Sequence, residues 1–306
     1  NFADAAARAV EVNTPLIYRY GMAVNSTPMK AMAAMRERMY PTKLPSKWMD
    51  LYIGLETLRF LPLLQAETAV YKPADFTWYP QTEFCYMRSG KAFLAAKGGF
   101  NDESHNHNDV GTFIFAYNNT PLLVDAGVGT YTRKTFSSER YSIWTMQSNY
   151  HNLPLINGVA QPHGAGYKAS GVKVDRRKQT FAANIATAYP VEAQVAKWVR
   201  GYKLKKNGLI VTDDFVLNKA KAPNQINFLT WGDVDITTNG VVKIVAKGVS
   251  ARLKYDGATF RPSIEKIELS DPRLSNVWGK SLYRVTLTAK KMPSTGNYKY
   301  EIQVVK

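Results

Sequence analysis

A chain of 306 residues with 45% hydrophobic content can bury a full core and make one large or two medium domains. Its 40 Lys and Arg against 24 Asp and Glu give a net charge of +16, which favours a polyanionic partner: nucleic acid, an anionic membrane surface or an acidic polysaccharide. The basic residues form no long run, which argues against a nucleic-acid tail, and the single cysteine, Cys85, excludes an internal disulfide and any multi-cysteine zinc site.

The start, Asn1-Phe2-Ala3-Asp4, is neither a signal peptide nor an initiator methionine, so the chain is expected to be a processed or excised product. No run of about 18 apolar residues predicts membrane insertion. Up to about Val70 the text is helical, and three amphipathic helices are expected: one on Ala5-Ala6-Ala7-Arg8-Ala9-Val10, one on Pro28 to Arg36 and one on Trp48 to Leu61. Three such helices make a thin core, so the apolar face of the third (Leu51, Leu55, Leu58, Phe60) is expected to pack on something else. The expected division is a helical segment over 1–72 and a β domain over 73–306.

From Phe76 the pattern changes to short alternating or aromatic segments bounded by Gly, Asn, Asp and Pro. Predicted strands include Glu83–Arg88, Ala92–Ala96, Thr112–Tyr117, Leu122–Val124, Leu209–Val216 and Tyr283–Ala289. Turn signals at Asn118-Asn119, Asn207-Gly208, Asn239-Gly240 and Asp256-Gly257, with no βαβ alternation, predict a mainly β protein built as a large antiparallel sandwich. Cys85, in Phe84-Cys85-Tyr86-Met87, reads as a buried inert thiol, and Trp198, Trp231 and Trp278 read as packing residues rather than sugar platforms.

All four histidines fall between His105 and His163, two of them in Ser104-His105-Asn106-His107-Asn108-Asp109. Histidine transfers protons near neutral pH and is the commonest metal ligand, so this confinement points to one chemical site. If the run is extended, His105 and His107 project from one face. Asp125, ending the apolar strand of Leu122-Leu123-Val124, offers a third ligand, and His151 a fourth. Imidazole and carboxylate suit zinc or a similar divalent ion. The spacing is not a standard zinc motif, and spacing alone favours unrelated core or loop residues held by backbone over a metal site. Asn108, Asp109, Asn152 and Asn157 read as turn braces, and His163 as a loop residue. Arg140 and Tyr141 are candidate substrate contacts, since arginine pairs bidentately with carboxylate or sulfate; a surface arginine and a strand aromatic are the alternative.

Taken in order, His105-Asn106-His107-Asn108-Asp109-Val110-Gly111, Pro121-Leu122-Leu123-Val124-Asp125-Ala126-Gly127, Tyr150-His151-Asn152 and Ile156-Asn157-Gly158 resemble the C-terminal β-sandwich domain of heparinase II/III-like polysaccharide lyases. That group includes heparin, heparan sulfate and alginate lyases. The resemblance implies that His105 faces the substrate cleft, while His107, Asp125 and His151 bind a mainly structural zinc. It also implies β-elimination at a uronic acid in an acidic polysaccharide, with the catalytic Tyr and an Asn/His pair carried by an N-terminal α/α toroid. Residues 1–72 fit only the end of such a toroid. Tyr18, Tyr20, Tyr40 and Tyr52 match no catalytic tyrosine, and no histidine precedes Phe76. Location outside the cytoplasm, periplasmic or cell-surface, is the corresponding expectation. Two alternatives stay open: a carbohydrate-binding module without elimination chemistry, and a metal-dependent hydrolase in which zinc activates water.

Overall fold

The computed structural model describes residues 2–7, 13–43 and 50–305. The chain forms two compact units, one of Ala9–Ala74 and one of Asn1–Arg8 with Asp75–Lys306. No helix among the described residues is long and apolar enough to cross a membrane.

The first unit holds three helices, α1 (Thr14–Ala23), α2 (Thr27–Met39) and α3 (Leu51–Gln65). Each begins at a side-chain cap: Asn13 accepts from the Leu16 N–H, Ser26 from Met29 and Asp50 from Ile53, with proline in the first turn of α1 and α2. Their shared core is small, with Tyr18, Ala33, Ala34, Leu61 and Leu64. Leu51, Leu55 and Leu58 of α3 are exposed, whereas Phe60 is buried. The helix expected over Ala5–Val10 is not found where it can be tested. Ala5, Ala6 and Ala7 are not helical, and Arg8, Ala9, Val10 and also Trp48 lie outside the described residues. The alanines lack a cap, and their backbone is used elsewhere: the Asp4 N–H donates to the His105 carbonyl at 3.0 Å and the Ala5 carbonyl accepts from Val128 at 3.2 Å. Tertiary bonding has overridden helix propensity here.

The second unit is mainly β, in antiparallel sheets. A five-stranded sheet runs Phe76–Tyr79, Phe84–Ser89, Ala92–Lys97, Phe113–Tyr117, Thr120–Leu123 in spatial order. An eight-stranded sheet runs Asp233–Asp235, Val241–Ala246, Val249–Lys254, Thr295–Val305, Gly208–Leu217, Val195–Lys205, Thr180–Asn184, Ser170–Asp175. A four-stranded sheet (Phe260–Glu268, Ser281–Ala289, Gln225–Thr230, Pro154–Leu155) and a two-stranded ribbon (Phe100–Asn101 with Gly164–Lys168) complete it. A short helix, α4 (Pro272–Trp278), packs Leu274 and Trp278 into a satellite core with Val124 and Ala126.

The three larger sheets bury alternate residues in one core, as the period-2 pattern requires: Leu209, Val211, Phe215 and Leu217 from one strand meet Phe113 and Phe115 from another and Ile226 and Phe228 from a third. Asn118 and Asn119 both take positive φ, 48° and 59°, in the tight turn that returns Phe113–Tyr117 into Thr120–Leu123. Trp198, Trp231 and Trp278 pack as expected, each indole N–H finding an acceptor in Asp213, Pro121 or Ala126. Cys85 is fully buried, and burial pushes its thiol up to about 12.

Candidate functional site

The site grows from the loop between Phe100–Asn101 and Phe113–Tyr117. Its far end is anchored by Asp109, whose backbone N–H donates to Asn101 Oδ1 and whose carboxylate takes Lys97 Nζ at 2.6 Å. Lys97 also reaches Glu103 at 2.9 Å, so a fully buried ammonium is matched by two carboxylates. Gln161 clips Val110 through both its amide groups. Gly111 follows at φ 84°, and a Cβ there would lie 2.7 Å from Ile185, so the return into the strand needs glycine.

The loop is not extended at its centre. His105 adopts the left-handed region at φ 60°, which breaks the two-residue alternation, and His105 and His107 therefore do not share a face. His107 is fully buried, while the His105 side chain is 67% exposed. Asn106 lies between them, donating to Asn108 Oδ1 and to the Tyr141 hydroxyl.

Asp125 emerges from the end of Thr120–Leu123, its Oδ1 accepting from the Gly127 N–H at 2.8 Å. His151 is delivered by short 3-10 turns, the last being Ser148–Tyr150. Its neighbour Asn152 donates to the carbonyls of Phe113 and Val124 and accepts from the Leu229 N–H, so one buried amide ties together three segments that frame the site. His151 Nδ1 donates to Asp125 Oδ2 at 3.1 Å, and Nε2 on the other side of the ring has no hydrogen-bond partner. The His107 and His151 rings are 5.6 Å apart. Asp109, Asp125 and His151 can each bring one ligand atom within 4.8 Å of the others.

Burial and the neighbouring His151 hold His107 down to about 4, so it is neutral at pH 7. Burial also opposes charge on His151 and Asp125, yet their mutual attraction wins: the imidazole is raised and the carboxylate lowered. Among the described residues, His107 Nδ1 and Nε2, His151 Nε2 and Asp109 Oδ2 are buried with no hydrogen-bond partner. Buried polar atoms without partners are uncommon, and these converge on a set of imidazoles and carboxylates. Such a set fits a divalent cation: Asp109, Asp125 and His151 lie close enough to hold one, whereas His107, its ring centroid 5.6 Å from that of His151, is not part of that close group. Asp109 was read from sequence as a turn brace; its burial depends on Lys97, which no local pattern reveals.

Above this cluster, the chain start lies over His105. Asp4, its side chain only 1% exposed, contacts His105 Nδ1 at 3.4 Å and accepts from Arg140 Nη2 at 3.0 Å and the Tyr131 hydroxyl at 2.6 Å. Burial would raise the Asp4 carboxyl, but Tyr131, Arg140 and His105 bring it below the ordinary carboxylate range. Arg140 also donates to the carbonyls of Thr135 and Asn106, so its guanidinium is spent on the loop. Tyr141 stacks on the exposed His163 ring with centroids 4.5 Å apart.

Residues 72–272 match the model of the heparinase II/III-like, C-terminal family. The chain belongs to this family. Within the heparinase II/III-like fold, a heparan sulfate lyase HepC from Pedobacter heparinus superposes with a TM-score of 0.67 at 14% identity, over 100% of this chain and 43% of that one. A heparinase III gives 0.59 at 16%, over 99% and 44%, and a Paenibacillus xanthan lyase 0.55 at 11%, over 96% and 31%. The heparinase II/III-like chain described here thus spans less than half the length of these structures. No curated protein matches it by sequence.

Proposed function

We propose that this chain is the C-terminal part of a polysaccharide lyase that cleaves an acidic, uronic-acid-containing polysaccharide by β-elimination. The observation that carries the proposal is an exposed His105 two residues from the buried His107, on the loop that also carries Asp109, with Asp109, Asp125 and His151 brought together in the interior beside it, within the heparinase II/III-like fold. The net charge of +16 agrees with a polyanionic substrate.

The reaction removes the proton on C5 of the uronate, breaks the bond between C4 and its glycosidic oxygen, and leaves a C4–C5 double bond; the departing oxygen takes a proton. That C5 proton is weakly acidic, so donors must stabilise the charge developing on the uronate carboxylate. His105 is assigned to the cleft, as donor or proton carrier. Arg140 acts through the loop, holding the Asn106 carbonyl and Asp4, and Tyr141 flanks it as a substrate contact. The base and further donors are assigned to a helical α/α toroid of the same protein, to which α1–α3 are assigned as the end. A zinc ion held by His107, Asp125 and His151, with Asp109 beside them, would be structural, fixing the loop that bears His105. Action on such polymers places the protein outside the cytoplasm, in the periplasm or at the cell surface.

The test is the ultraviolet absorbance of newly formed unsaturated uronate on heparan sulfate, heparin, chondroitin, hyaluronan and alginate, using this chain and an N-terminally extended one. Activity confined to the extended protein, with turnover falling about 100-fold or more in His105→Ala, is the expected result. Sugar binding without product in either protein would favour a binding module, and product without a double bond a hydrolase.

A further inference from the structure

The large positive charge is not used up by the histidine site. On the eight-stranded sheet, Val242, Ile244, Ala251 and Leu253 point inward to the core, so Lys243, Arg252 and Lys254 alternate onto the outward face, where all three are exposed. The antiparallel register sets Lys243 directly opposite Arg252, with Lys254 one residue pair further along the same face. Like charges opposed across a strand pair weaken it.

The neighbouring acids relieve this repulsion only in part, Asp235 being attracted to Lys243 across the strand pair. Asp235, opposite Lys243, also accepts at Oδ1 from the Thr237 N–H at 2.8 Å, and Glu301, opposite Lys254, is taken by Lys205 at 3.0 Å. Lys197 on the same face likewise has its own partner in Asp214 at 2.6 Å. Among the described residues, Lys243, Arg252 and Lys254 take part in no ion pair. The three cations line a groove of about 380 Å³ with Asp235, Thr238 and Val241. None of these residues belongs to the histidine site.

We propose that this groove is a second, non-catalytic binding site for an acidic polysaccharide, holding the polymer by its carboxylates or sulfates while another part of it enters the His105 cleft. The choice of ligand rests partly on the proposed function, but the lining argues for it independently. No aromatic ring lines the groove for a base to stack on, as a single-stranded nucleic acid would exploit, and no large apolar side chain stands out from it to enter a bilayer. Cations abreast on a flat strand face, with a hydroxyl beside them, suit a sugar chain with repeated anionic groups.

The test is direct binding of fluorescently labelled heparin and alginate oligosaccharides, and of a single-stranded DNA of equal charge, to the whole chain across a salt series. In the triple variant Lys243→Thr, Arg252→Thr, Lys254→Thr, oligosaccharide affinity should fall about tenfold or more with a shallower salt dependence. A charge-matched control with Lys219→Thr, Lys221→Thr and Lys291→Thr should keep near-wild-type affinity. Lys243→Thr alone should weaken binding while raising Tm slightly, because it removes the opposed pair; a merely structural role predicts a lower Tm. Unchanged affinity in the triple variant, an equal loss in the charge-matched control, or tighter binding of DNA than of either sugar would overturn the proposal. Because no turnover is read, a protein that binds through the groove yet yields no unsaturated product would count against the lyase reading alone.

Discussion

His107 buries two ring nitrogens without a partner, and each polar group left in that condition costs about 1–3 kcal/mol. A bound divalent ion would remove much of that cost, so chelation of metal-loaded protein should lower Tm by several degrees in calorimetry, and His107→Ala should weaken zinc binding by about 100-fold or more by competitive chelator titration. Charge on the free His151 is favoured by Asp125, so a metal at Nε2 must displace a proton. Metal affinity should therefore increase as pH rises through the elevated His151 value, with proton release visible as a buffer-dependent heat in titration calorimetry. Asp4 works in the opposite sense. A carboxylate held low in the fold contributes stability above its unfolded value of about 3.9 and loses it as pH falls through the lowered one. Hydrogen exchange at residues 2–7 should be slow near pH 6 and speed up below about pH 4, and Asp4→Asn should reproduce the fast exchange at neutral pH.

At the scale of elements, the strands were legible because burial writes a period of two into them: Leu209–Val216 was expected, and Gly208–Leu217 is the observed strand. The helix starts were less so, since the alanine run had propensity but Asn13, Ser26 and Asp50 held the caps. The histidine cluster could be located in sequence, yet its geometry could not. A left-handed histidine leaves no mark in composition, and the groups that brace it lie far away, Asp4 being 101 positions from His105. Asn152 reads in the sequence as a turn brace beside His151, not as the clamp between three segments that it is. Replacing it with alanine strands two carbonyls and one N–H in the interior, and the unfolding free energy should fall by about 3 kcal/mol in urea titration. Gly111→Ala should also destabilise, through positive φ and the approach to Ile185, even though it removes no contact.

For the whole molecule, the large core is drawn from residues of the sheet unit alone, with Cys85 its first buried member and Ile302 its last. A chain of residues 75–306 should therefore keep its near-ultraviolet circular dichroism, but without Phe2, Asp4 and Ala7 it should melt a few degrees lower. The same core makes the molecule silent to thiol reagents at neutral pH, since its one sulfhydryl is inaccessible and held protonated. A cysteine introduced at an exposed position such as Tyr131 or His163 would thus be the sole reactive thiol, and a spin label or fluorophore could be attached there without first deleting a native residue. Any change in the loop's surroundings on adding oligosaccharide or zinc could then be read by spectroscopy in solution.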